Sequence, residues 1–349
     1  MLEGQVHGSL PYHDLRALGI DPETVIDFSA TVNPYPLPGF IRETIAATPL
    51  HSYPETDCHE ATAALSAFYH LPAEWIAVTV GMTEIIFALP ALYDTIVQFA
   101  PTYGDYQLAA TRRNRTIRTV DFPGDDHAFS TVCTELRNSS FDLLIICNPN
   151  NPTGAWLSPE QIARLCVFFP GAVICIDESY QEMGEACESV IPLVSKHPNL
   201  LVCKSLTKPF GIGGIRAAYA LSSGDCLRRI KERLLPWGVS VIAQRLIPQL
   251  LDNYTLFSGQ WAATIRDRNE LIVNMERTGF GVDIGRCPFF LVKVGNASRM
   301  REIMLREHTI ALRDCTSFGM PDRIRIMPEG PENNKRLCRA LGKVAESSV

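Results

Sequence analysis

Leu200-Leu201-Val202-Cys203-Lys204-Ser205-Leu206-Thr207-Lys208-Pro209-Phe210-Gly211-Ile212-Gly213-Gly214-Ile215-Arg216 opens as an apolar strand, 200–204, and runs into a glycine-rich loop. Lys208 stands at that transition, an odd place for a surface charge. A buried amine close to other cations is pushed towards its neutral form, the form able to attack an aldehyde. Ser205, Thr207 and Arg216, the last eight residues beyond Lys208, offer two hydroxyls and a guanidinium. That set suits a phosphate dianion. The plainer alternative is a lysine that snorkels from a loop beside structural glycines.

Outward from this segment, short apolar runs alternate with helix-length amphipathic ones. Strands are expected at 75–80, 95–99, 116–121, 143–147, 173–177, 200–204 and 217–220, with helices between several of them, such as 83–92 and 159–169. Strand–helix alternation with Val/Ile-rich runs predicts an α/β fold with a mostly parallel sheet covered on both faces. Ligands bind such sheets beyond the carboxyl ends of the strands. A helical stretch over 225–252 is expected to break near Pro236 and Gly238. A charged amphipathic helix follows from Thr255, then strands at 288–294 and 323–327 and a terminal helix from Pro331. The division expected is a large domain over 36–240 and a smaller α/β domain built from 1–35 and 241–349.

Three more motifs fall at expected strand ends. Val173-Ile174-Cys175-Ile176-Asp177-Glu178-Ser179-Tyr180 ends a strand on a carboxylate. Asp177 there can pair with a protonated ring nitrogen, and Tyr180 can reach a neighbouring ring oxygen; a helix-capping Asp reads the same way. Asn148-Pro149-Asn150-Asn151-Pro152-Thr153-Gly154 holds its asparagines in a rigid turn, from which one amide can donate to a phenolic oxygen. Gly81-Met82-Thr83-Glu84 opens a helix whose N–H groups and Thr hydroxyl can cradle a phosphate, or is simply a glycine turn with a Thr cap. Tyr103, in Pro101-Thr102-Tyr103-Gly104, can stack on a flat heteroaromatic ring or serve as an ordinary partly buried aromatic.

Composition sets the outer bounds. The net charge of −6 gives no electrostatic reason for nucleic acid or an anionic membrane as a partner. Eleven cysteines, scattered and without a C-x-x-C pair, read as reduced thiols of a cytoplasmic protein, and no metal site is expected. No signal peptide is visible, and no apolar run approaches the roughly 20 residues a membrane span needs.

The four strand-end motifs, in this order and spacing, resemble the fold-type I pyridoxal-phosphate (PLP) aminotransferases, over nearly the whole chain. The resemblance implies Lys208 as the Schiff-base lysine and Asp177 as partner of the pyridine nitrogen. It implies Asn151 and Tyr180 at the 3′-oxygen, Tyr103 stacked on the ring, and Gly81, Met82, Thr83, Ser205 and Arg216 around the phosphate. His51-Ser52-Tyr53-Pro54-Glu55 resembles the family segment whose tyrosine reaches the phosphate of the neighbouring subunit, which implies a homodimer with Tyr53 at the shared site. Arg323-Ile324-Arg325-Ile326 resembles the segment whose arginine grips the substrate carboxylate, here Arg325.

Within the family the nearest likeness is to the histidinol-phosphate aminotransferase and threonine-phosphate decarboxylase branch. His7-Gly8, Ile26-Asp27-Phe28-Ser29-Ala30-Thr31-Val32-Asn33-Pro34 and Leu312-Arg313-Asp314-Cys315-Thr316-Ser317-Phe318-Gly319 resemble the decarboxylase's two ends. They add Asn33 and Arg313 as expected substrate contacts. Two departures stand out. His-Gly-Gly-Asn is here His7-Gly8-Ser9-Leu10, and Glu329 takes the place where those decarboxylases tend to carry a second arginine. Glu329 therefore favours transamination of a small amino acid with an oxoacid over decarboxylation of a phosphorylated one. A non-catalytic relative serving as a binding or regulatory module would be expected to lose the lysine or its Asp partner; this chain has both.

Overall fold

The computed structural model describes residues 8–346. In chain order its strands are β1 (Ile26–Asp27), β2 (Ile76–Thr79), β3 (Ile96–Ala100), β4 (Ile117–Asp121), β5 (Leu143–Cys147), β6 (Val173–Asp177), β7 (Leu200–Ser205) and β8 (Ala218–Leu221). Then follow β9 (Val282–Asp283), β10 (Phe290–Lys293), β11 (Ile310–Ala311), β12 (Arg313–Asp314) and β13 (Arg323–Ile326). All seven strands expected for the large sheet form, in the order β2-β8-β7-β6-β5-β3-β4. Pairings are parallel throughout except at β8, which runs against both β2 and β7. β3, β5, β6 and β7 are buried on both faces apart from the last residue of β3 and the first of β6, which is why they read as continuous Val/Ile/Leu runs rather than alternating ones.

Local signals set the helix ends. Pro159–Phe168 starts at a full capping box, Ser158 with Gln161. The expected helix 83–92 is Met82–Ala88 followed by a 3-10 turn, Leu89–Ala91, where Pro90 removes a helical donor. The stretch 225–252 breaks as expected, into Asp225–Lys231 and Val241–Asp252. No helix among the described residues is long and apolar enough to cross a membrane.

Two main hydrophobic cores underlie the molecule. The larger surrounds the seven-stranded sheet. The smaller, containing Phe28, Leu271, Met275, Phe290, Ile324 and Leu337, lies under the β12-β13-β10-β9 sheet. The larger core extends past residue 240, where the sequence reading placed the division. Helix Val241–Asp252 buries Ala243, Leu246, Ile247 and Leu250 in the larger core, against helices Gly39–Ala47 and His59–Tyr69. The changeover falls within the 24-residue helix Tyr254–Arg277, between Trp261 in the larger core and Leu271 in the smaller. A continuous amphipathic helix hides such a boundary because its apolar stripe does not stop where its partner changes.

Candidate active site

Because β8 is antiparallel, its first residue, Ala218, pairs with both Thr79 and Ser205, so its start shares one sheet edge with the carboxyl ends of β2 and β7. Gly81, Asn151, Asp177, Lys208 and Arg216 therefore converge from four loops. With Met82, Thr83, Tyr103, Cys147, Tyr180, Ser205 and Thr207 in place, a cleft of about 520 Å³ results. An adjoining recess of about 350 Å³ shares Tyr103, Asn151, Tyr180 and Lys208 with it and adds Thr31, Arg313, Phe318 and Arg325.

Asp177 is held at both oxygens. Oδ1 accepts from the Ser179 amide (2.9 Å) and hydroxyl (2.5 Å), and Oδ2 from the Tyr106 hydroxyl (2.7 Å). Burial nevertheless raises its pKa, only partly offset by these donors and by Lys208, so the carboxylate is poised to take a cationic partner. Lys208 shifts the other way. Burial, then Arg216 and Arg325, bring its amine down to about 8. Ser205 and Thr207 share a hydrogen bond of 2.8 Å. Arg216, at φ 62, crosses Gly81 so closely that a Cβ there would stand 2.8 Å from its guanidinium, and Gly81 itself has φ 105. Any L side chain at position 81 would push that arginine out of the cleft.

The asparagine turn works by exclusion. The Asn148 side chain exchanges two hydrogen bonds with the Leu157 backbone, and Asn150 is tied to Pro101, Thr102 and Thr153. Asn151 alone faces the cleft. Its Oδ1 accepts from Arg325 Nη1, so its Nδ2 protons are the atoms turned towards a ligand. Arg325 also donates to the Ser29 carbonyl (2.8 Å) and lies over the Phe289 ring at 5.0 Å. Arg313 faces Arg325 across β12 and β13, donates to the Asp314 carbonyl and Ser317, and lies over Phe318. Burial and then Arg325 bring the Arg313 pKa down to about 10.

Two residues, Asn33 and Glu329, fall elsewhere than the sequence suggested. Asn33, expected at the substrate, lines neither part of the cleft; it lies behind Lys208, bonded to Pro209 and Gln260. Tyr53, expected to serve a neighbouring subunit, is 84% exposed beside Trp237 and lines no part of this chain's own cleft. Glu329 lines neither part and sits near Asp27; burial first, then that carboxylate, raises its pKa to about 8. The expected clash of Glu329 with an anionic substrate is thereby removed. His7 lies outside the described residues.

Sequence reasoning also missed four supports. Ser179 was visible in principle, as a hydroxyl two residues after an Asp at a strand end. Tyr106, Thr31, whose hydroxyl meets that of Tyr180 at 2.8 Å, and Phe289 had no local signal.

A lysine with a lowered pKa, a braced carboxylate, a polar cradle and a pair of arginines at the carboxyl edge of a largely parallel sheet define a PLP enzyme of fold type I. The chain belongs to the aminotransferases of class I and II, whose family model matches residues 23–341. It is 26% identical to a histidinol-phosphate aminotransferase of Symbiobacterium thermophilum, over 95% of this chain and 93% of that one. It is also 26% identical to a threonine-phosphate decarboxylase of Salmonella typhimurium, over 98% of this chain and 97% of that one. The fold matches the crystal structure of a histidinol-phosphate aminotransferase from Sinorhizobium meliloti in complex with pyridoxal-5′-phosphate (TM-score 0.83, 18% identity, 98% of this chain and 96% of that one).

Proposed function

We propose that this chain is an aminotransferase that moves an amino group between an amino acid and a 2-oxoacid, with PLP carried on Lys208. The donor set fits the cofactor. Asp177 would pair with the ring nitrogen, Asn151 Nδ2 and Tyr180 would donate to the ring oxygen, and Tyr103 would offer its ring for stacking. Met82, Thr83, Ser205, Thr207 and Arg216 would hold the phosphate, with Gly81 giving Arg216 room beside it. When bound, PLP supplies an aldehyde carbon that captures amines and a cationic ring that accepts an electron pair from Cα.

The protein's own part is positioning and proton transfer. Asp177 keeps the ring nitrogen protonated. Arg325 grips the substrate carboxylate with the guanidinium edge left over from Asn151 and Ser29; its Nε has no hydrogen-bond partner among the described residues. Lys208, with a pKa near neutrality, takes the Cα proton and returns it. The observation that carries transamination is the Arg325–Asn151 hydrogen bond. A substrate carboxylate gripped by Arg325 beside Asn151 would be held by the protein rather than released, which would favour removal of the Cα proton by Lys208 over loss of the carboxylate.

Decarboxylation of a phosphorylated amino acid is the second reading. It is favoured by Arg313, which gives the recess a second cation, and by the removal of Glu329 from it. Incubation with amino acids and 2-oxoglutarate or pyruvate, and separately with threonine phosphate, decides. Oxoacid-dependent amino transfer is expected. Carbon dioxide from threonine phosphate, with no amino transfer to any oxoacid, would establish the second reading instead. Exposed Tyr53 suits a homodimer in which it serves the partner's phosphate, so light scattering of the holoenzyme should give a dimer mass.

A further inference from the structure

Every N–H of Asn33 is engaged. Its Nδ2 donates to the Pro209 carbonyl (3.1 Å) and to Gln260 Oε1 (2.7 Å), its Oδ1 accepts from the Tyr35 amide (3.1 Å), and its own amide donates to the Lys208 carbonyl (2.9 Å). It is 6% exposed, and both of its Nδ2 protons are taken. Trp261 donates from Nε1 to the same Pro209 carbonyl, at 2.6 Å. Two elements that pass between the cores thus end on two successive carbonyls. One is the N-terminal segment, running from Phe28 in the smaller core through Asn33 to Ile41 in the larger. The other is helix Tyr254–Arg277, running from Trp261 to Leu271. Further bonds tie the two elements together, Gln260 to the Pro36 carbonyl (3.4 Å) and Tyr35 to Asp267 (2.9 Å).

We propose that Asn33 and Trp261 are positioning residues for Lys208, clamping the Lys208 and Pro209 carbonyls between the two interdomain connections. The inference rests on Lys208 being the reactive amine. A lysine side chain is long and flexible, so the one part of it the fold can fix is its backbone. A displacement of about 1 Å at a reacting group costs on the order of a hundredfold in rate. Pro209 has no N–H, so its carbonyl is the single backbone polar group of that residue, and it is buried under two donors. Losing one donor leaves the other in place. Losing both leaves a buried acceptor unsatisfied, and the turn carrying Lys208 relaxes.

The test is a double-mutant cycle on the holoenzyme with Asn33→Ala and Trp261→Phe. The phenyl ring keeps an aromatic partner for Phe210 and Tyr254 while removing the donor, and the small cavity it leaves is common to the single and double variants, so it cancels in the cycle. Each single variant should lower kcat about twofold to tenfold with KM little changed. The double variant should fall by more than the product of the two single effects. The pH midpoint of the cofactor's visible band should move by about half a unit or more in the double variant, a change that a purely structural loss would not produce. Asn33→Gln, which keeps an amide donor, should recover part of the loss.

Multiplicative effects with an unmoved midpoint would overturn the proposal. So would a rise in KM at constant kcat for Asn33→Ala, which would return Asn33 to the substrate. If the double variant does not fold, Trp261→Phe decides alone, and unchanged kcat and midpoint refute the clamp. Borohydride labelling of the wild-type protein tests the underlying assignment of Lys208 separately. A label elsewhere removes the premise, whereas a label on Lys208 with additive variants refutes only the clamp.

Discussion

Lys204 and Lys208 lie four residues apart at the end of one strand, both withdrawn from water, and their electrostatic surroundings have opposite sign. The Lys204 amine meets Glu182 at 2.8 Å, Glu178 at 3.3 Å and Gln181 at 2.6 Å. Burial works against its charge, but Glu182 and Glu178 outweigh burial and the pKa rises. Around Lys208, burial, Arg216 and Arg325 act together, Asp177 and Asp105 offset them only in part, and the pKa falls to about 8. Burial alone therefore does not make a lysine nucleophilic. The sign of its neighbours decides, and one short segment holds both outcomes: a charged strut behind the sheet edge and a reactive amine in front of it.

The contrast can be broken from either side. The largest effect is expected from Lys204→Met, which leaves two glutamates in the interior without their cation. Unfolding followed by denaturant should show a loss of about 3–5 kcal/mol. Replacing Glu178 and Glu182 by glutamine in the same chain should return most of it, because the penalty lies in the unpaired charges. Next is Asp177→Asn, which removes the partner of the ring nitrogen and leaves both lysines intact. A fall in kcat of roughly thirtyfold to 150-fold, about 2–3 kcal/mol, is expected with little change in folding stability.

The smallest effect concerns pH. The nucleophile is the neutral amine, and the Lys208 pKa is lowered to about 8, so protonation blocks it below that value. PLP uptake by the apoprotein, followed by absorbance, should accelerate as pH rises through about 8 and then level off. Arg216→Met removes a cation whose field favours the neutral amine, so it should move the midpoint upward, by about one unit. A downward move would mean that Arg216 does not set the Lys208 pKa.

The inner half of the site was legible in the sequence because each residue stands at the end of its own apolar strand, beside glycine, proline or a hydroxyl. Asp177, Lys208, the asparagine turn and the Gly81 turn all stood out as strand-end features, since a parallel sheet delivers such ends to one edge, while the choice of Asn151 within its turn came from the family resemblance. The outer half depends on pairings between the chain's two ends. Arg325 is set by Ser29, 296 residues away, and Tyr180 by Thr31, 149 residues away. Nothing local announces those contacts. Asn33 shows the cost: the segment holding it was matched to a substrate-contacting one, yet it lies one layer behind the cleft because the interdomain helix claims its amide. Glu329 fails for the same reason, since the strand carrying Arg325 ends before it and the chain turns it towards Asp27.

Reductive labelling tests the central claim most directly. The purified holoenzyme is treated with borohydride, digested, and the pyridoxyl-modified peptide located by mass spectrometry. The label is predicted on Lys208 in the peptide that follows Ser205-Leu206-Thr207, with Lys204 unmodified in the same digest. A label on Lys204, or on any other lysine with Lys208 unmodified, would contradict the account.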